Sequence, residues 1–121
     1  MSCLFNSLSH FIKEDSHTIR QKICNYLKED KPIIDGLETK DVIKFENNNP
    51  DNYIEHMRLT STWGGAIEIQ CACNLWDLQI NVLNYRDAGE KVIEFIPLNK
   101  NSSKTINIYW TGTHYEPVKC L

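Results

Sequence analysis

The spacing of apolar residues turns from helical to strand-like near Leu78, and that change limits what the chain can fold into. Before Leu78 the longer apolar patterns recur at helical spacing, interrupted between Lys31 and Asn52, whereas from Leu78 onward they alternate as in strands. Leu4, Phe5, Leu8, Phe11 and Ile12 predict a helix starting at or just after Cys3 with one face buried. Asp15 or Ser16 can cap a second helix, with Ile19, Ile23, Tyr26 and Leu27 as its buried stripe and an end near Glu29 or Asp30, before Pro32. Between Lys31 and Asn52 the character changes. Ile33-Ile34 and Val42-Ile43 are short apolar patches, and Asn47-Asn48-Asn49-Pro50-Asp51 reads as a break. A loop with one or two helical turns is expected there, then a short helix over Asp51 to Met57.

A further helix is predicted from Trp63-Gly64-Gly65, with Thr62 as its cap, Glu68 in its first turn, and Ile67, Ile69, Cys71, Ala72 and Leu75 available to the core. The two glycines allow a close backbone approach where that helix begins. The last third reads as sheet: Leu78, Ile80 and Val82, then Val92 to Ile96 after the turn-like Asp87-Ala88-Gly89, then Thr105 to Trp110. Tyr115-Glu116-Pro117-Val118 is expected as an edge strand, because Pro117 has no N–H to give to a ladder. A chain of 121 residues suits a single domain over 1–121, burying roughly two-thirds of its unfolded surface.

The formal net charge is −3, with both signs interspersed. Without a Lys/Arg stripe there is no electrostatic reason to expect nucleic acid or an anionic membrane as partner. No apolar run reaches the roughly 18 residues that cross a bilayer, and no basic stretch precedes an apolar one at the N-terminus. Five cysteines, Cys3, Cys24, Cys71, Cys73 and Cys120, lack the pattern of a disulfide scaffold and point to a reducing compartment, cytoplasmic or nuclear. Cys71-Ala72-Cys73 has neither the C-x-x-C nor the zinc-knuckle spacing, so these two are read as packing residues and no metal is expected. Asn101-Ser102-Ser103 reads as a polar turn.

Two residues carry candidate chemistry. Cys3 opens the run Cys3-Leu4-Phe5-Asn6-Ser7-Leu8-Ser9, and His114 stands in Thr113-His114-Tyr115-Glu116-Pro117-Val118. A thiol nucleophile needs a base that holds it as thiolate, and these two can meet only across a folded domain. At the start of a helix, unpaired N–H groups and the positive helix end both favour a thiolate. A structural alternative makes Cys3 and His114 merely adjacent core or rim residues of an unrelated α/β protein.

Together these segments resemble the ovarian-tumour (OTU) family of cysteine proteases, most of which are deubiquitinases. Cys3 to Ser9 resembles the family's nucleophile helix. Trp63-Gly64-Gly65 with Glu68-Ile69 and Ile80-Asn81-Val82 resembles its central helix and following strand, and His114-Tyr115-Glu116-Pro117-Val118 its histidine motif. The resemblance implies a papain-like α/β (α+β) fold, a small, mostly antiparallel sheet flanked by helices. It makes Cys3 the nucleophile and His114 the general base. The position two beyond the histidine, where the family often has an Asn or Asp that orients the imidazole, is Glu116 here. Residues two apart on a strand face one side, which lets that carboxylate reach the ring.

The implied substrates are conjugates of ubiquitin or a ubiquitin-like protein, attacked at the modifier's C-terminal carbonyl, with no cofactor and no metal; in a viral member the site of action would be the host cytoplasm. The family usually carries Asp-Gly-Asp/Asn before its nucleophile, where this sequence has Met1-Ser2. The expected oxyanion hole therefore rests on the backbone N–H groups of Ser2 and Cys3. That departure leaves a second reading, a catalytically impaired OTU-like domain that holds ubiquitin or a host protein without turnover.

Overall fold

The computed structural model describes residues 3–29, 33, 39–44, 49–59, 64–84, 91–98, 102, 104–110 and 115–117. Five helices precede a sheet. They are α1 (Cys3–Phe11), α2 (Ser16–Lys28), α3 (Thr39–Lys44), α4 (Pro50–Met57) and α5 (Ala66–Trp76), and the strands are β1 (Leu78–Asn84), β2 (Lys91–Phe95), β3 (Lys104–Trp110) and β4 (Tyr115–Pro117).

Local chemistry sets most of these boundaries. Asp15 caps α2, its carboxylate accepting from the Thr18 N–H at 2.7 Å. That bond holds the Asp15 carboxyl below its ordinary range. Helix α4 starts one residue earlier than expected, because Asn49 caps it and Pro50 fits the first turn, where no N–H is needed. The expectation that Thr62 caps α5 is corrected: the cap is Gly65, whose N–H donates to Glu68 Oε1 at 2.7 Å. The glutamate reaches back to the cap backbone, half of a capping box. Asp77 ends α5 in the left-handed region with φ 52°, its N–H returning to the Cys73 carbonyl, and β1 begins at the next residue.

The sheet order is β2-β1-β3-β4. β1 pairs antiparallel with β2 and parallel with β3, and β3 pairs antiparallel with β4. The sheet is thus mixed, with its central pair parallel, and β4 is an edge strand as Pro117 required. Ile80 and Val82 stand in register with Ile106 and Ile108, and all four are buried on one face. On the other face Asn81 donates to Asn107 across the same pair and accepts from Gln79, each at 3.1 Å.

The parallel pair requires the chain to cross from β2 to the far side of β1. Asn74 on α5 anchors that crossing: its Oδ1 accepts from the Leu98 N–H at 2.9 Å, and its Nδ2 donates to the Ile33 carbonyl at 3.3 Å. Gln70 donates to the Ile96 carbonyl one turn earlier. One apolar cluster joins Leu4, Phe5 and Leu8 of α1 to Ile19, Ile23 and Leu27 of α2, to Ile69 and Ala72 of α5, and to the buried face of the sheet. The strand order leaves β4 alongside α1.

Candidate active site

Helix α1 is one-sided. Leu4, Phe5 and Leu8 are fully buried, and Ser7 turns its hydroxyl back onto the Cys3 carbonyl at 2.8 Å. Cys3 is the first residue of this helix, where the backbone N–H groups have no partner within the helix and the positive end of the dipole faces the side chain. Its side chain is half-buried, whereas Cys24, Cys71 and Cys73 are buried. Burial pushes the Cys24 thiol up to about 11, although Arg58 and Arg20 pull the other way. It pushes Cys73 up to about 12, and it raises Cys71 well above its ordinary value, with Glu68 adding to the effect. These three thiols are held neutral, as packing groups are. Among the described residues no three His, Cys, Asp or Glu side chains gather as a metal site requires.

Tyr115 opens β4, immediately after His114 in the chain. It pairs with Trp110 across β3, and the two rings stack with centroids 6.3 Å apart. The Tyr115 hydroxyl is held above its ordinary value, first by burial and then by Cys3 and Glu68, so both of these groups lie within electrostatic reach of it. The topology thus brings the start of α1 and the start of β4 together. Of the residues expected at the site, Cys3 lies at that junction. Ser2 and His114 lie outside the described residues. Glu116 is in β4 with its backbone opposite Tyr109, and its side chain lies outside them.

Behind Cys3 is a polar group that apolar periodicity did not indicate. Arg20, on the buried side of α2, is 1% exposed, and its Nη1 donates to the Met57 carbonyl at 2.8 Å. Its guanidinium carbon lies 4.2 Å from the centroid of the Phe5 ring. Glu68 is equally buried and accepts from the Tyr53 hydroxyl at 2.7 Å as well as from Gly65. From the sequence Glu68 was expected in the first turn of α5 and among the residues that carry the family resemblance, not as a buried acceptor for Tyr53. The one signal for Arg20 was its position, next to Ile19 and three residues before Ile23, inside the stripe that faces the core.

Comparison with known proteins agrees with this architecture. The family model described as OTU-like cysteine protease matches residues 2–115. A relative from Drosophila pseudoobscura pseudoobscura, ubiquitin thioesterase OTU1, is 22% identical over 117 residues, covering 97% of this chain and 31% of that protein. The chain therefore spans about a third of the length of the curated relatives it matches. An ovarian tumour (OTU) domain solved in complex with ubiquitin superimposes with a TM-score of 0.75 at 21% identity, over 96% of this chain and 62% of that one. The viral OTU domain protease from Dera Ghazi Khan virus gives a TM-score of 0.75 at 20% identity, over 99% of this chain and 75% of that one. At these identities the structural likeness is one of fold, and it extends over nearly the whole chain. Taken with the family match over residues 2–115, it establishes that this chain belongs to the OTU-like cysteine protease family.

Proposed function

We propose that this chain, acting as one domain, is a thiol-dependent deubiquitinase that hydrolyses isopeptide bonds at the C-terminus of ubiquitin or a ubiquitin-like modifier. One observation carries this reading: the first residue of α1 is a half-exposed cysteine, and α1 lies beside the strand that follows His114. In this reading the thiol at the helix N-terminus takes as its base the imidazole one residue before that strand. Family membership supports the chemistry, and the ubiquitin complex of a structural relative supports the partner.

In this mechanism the Cys3 thiolate attacks the C-terminal glycine carbonyl of the modifier, and the carbonyl π electrons move onto oxygen. The Cys3 N–H, with that of Ser2, receives the oxyanion; one such donor contributes about 3 kcal/mol to transition-state stabilisation. Collapse of the tetrahedral intermediate expels the lysine or α-amine, which takes a proton from His114. His114 then activates water against the thioester, releasing the modifier and restoring the thiol. Glu116 orients the imidazole by accepting from its other N–H. No cofactor enters the scheme. Three buried free thiols support a reducing compartment.

The test is cleavage of ubiquitin dimers by wild-type, Cys3→Ala and Glu116→Ala proteins. Cys3→Ala is expected to abolish cleavage while the fold is retained, and Glu116→Ala to slow turnover more than it weakens ubiquitin binding. Cleavage by Cys3→Ala would remove the nucleophile assignment. Ubiquitin binding without cleavage by the wild type would instead make this a binding module.

A further inference from the structure

We propose that Arg20 is a positioning residue for Cys3: with its guanidinium over the Phe5 ring, it fixes the first turn of α1 and thereby the direction in which the nucleophile projects. This rests on the reading of Cys3 as the nucleophile of a ubiquitin hydrolase. Phe5 lies two residues after Cys3 in α1 and is completely buried. Arg20 covers its ring at 4.2 Å. Gly64 closes on the same side chain: a Cβ there would stand 3.0 Å from Phe5 Cε2 and Cζ, and 2.6 Å from Leu4 Cδ2. No larger residue fits without moving Leu4 or Phe5. The start of α1 is therefore held between a planar cation from α2 and the backbone at the entrance to α5.

The chemistry of arginine explains why this position is not simply apolar. Burying a guanidinium is costly unless its donors are used, and a core leucine would fill the same space without that cost. What arginine supplies is orientation, since its flat fork both stacks on a ring and donates in fixed directions. Here one donor goes to the Met57 carbonyl at the C-terminal end of α4, where a cation also meets the negative end of the helix dipole. Arg20 thus ties α1, α2 and α4 together at one point. Burial lowers its basicity, and Cys24, Glu68 and Cys3 oppose that, so the group lies within electrostatic reach of the nucleophile as well as in contact with its helix.

The experiment compares wild-type, Arg20→Lys and Phe5→Leu proteins by thermal melting, by kcat and KM on a ubiquitin C-terminal fluorogenic amide, and by the rate at which iodoacetamide modifies Cys3, located by peptide mass. Lysine keeps the charge and loses the plane; leucine keeps the apolar burial and loses the ring. A misplaced nucleophile costs up to about a hundredfold in rate, so folded Arg20→Lys should lose about tenfold or more in kcat. KM should stay within about twofold, because Arg20 is buried and out of reach of a bound modifier. A folded Arg20→Lys with wild-type kcat, or with KM raised and kcat kept, overturns the proposal. If Arg20→Lys does not fold, Phe5→Leu decides in the same way by its kcat. If the wild type does not turn the amide over, the functional reading fails separately and the iodoacetamide rate decides. Slower modification of Cys3 in either folded variant supports the positioning role, and an equal or faster rate overturns it.

Discussion

Among the cysteines, residue type is less informative than place. Cys3 occupies a helix start with part of its side chain exposed, while Cys24 and Cys73 are sealed in the core. Their ordinary value is 9.0, and the fold holds them up to about 11 and about 12. The unfolded chain therefore releases these protons first as pH rises. Their contribution to stability is complete below about pH 9 and is lost as pH climbs toward the native values. At about pH 10.5, Cys73 alone should cost about 2 kcal/mol relative to neutral pH. Urea unfolding of wild-type and Cys73→Ala proteins at both pH values measures this: the wild type should lose more stability than the variant. Equal losses would mean that Cys73 ionises alike in the folded and unfolded chains. The packing role of Cys71 and Cys73 was legible in their spacing, but the buried role of Arg20 was not. Arginine is almost never fully buried unless paired, and its partners, Phe5 and Met57, come from two other helices.

Elements were read more accurately than residues, because apolar period and capping chemistry act over a few positions. Helices α1, α2 and α4 lie where periodicity and caps put them, within a residue or two at their ends. The entrance to α5 differed because a glutamate three residues into the helix can serve the cap backbone without any side chain at the cap itself. Its exit is more demanding. With φ 52° at Asp77 and β1 starting at Leu78, the turn from helix to strand is made by one left-handed residue. Aspartate tolerates that conformation and a β-branched side chain does not. Asp77→Val should destabilise the protein by about 1–2 kcal/mol, measured by denaturant unfolding, while Asp77→Gly should stay close to wild type. Unchanged stability in Asp77→Val would show that the turn is not constrained in this way.

At the scale of the whole molecule, strand order does what no local signal can. The alternation of the last third predicts strands but carries no record of which pairs are parallel, since register between distant segments is set by packing. The sheet is mostly antiparallel, as expected, since β1–β2 and β3–β4 pair antiparallel, and the one parallel pair, β1–β3 at its centre, is the feature that alternation does not announce. That crossing sends the chain past β1 and leaves β4 at the edge beside α1. The junction is thus a product of topology: α1 and β4 lie near opposite ends of the chain and meet because of the order of the four strands. Among the described residues no helix is long and apolar enough to cross a membrane. The proposed function requires that this junction hold a working nucleophile for ubiquitin. The most direct measurement is the intact mass of the protein after incubation with ubiquitin carrying a C-terminal electrophile, for wild-type, Cys3→Ala and His114→Ala proteins. One ubiquitin-sized adduct is expected on the wild type, none on Cys3→Ala, and slow formation on His114→Ala. A folded wild type without an adduct, or an adduct that survives Cys3→Ala, would contradict the proposed function.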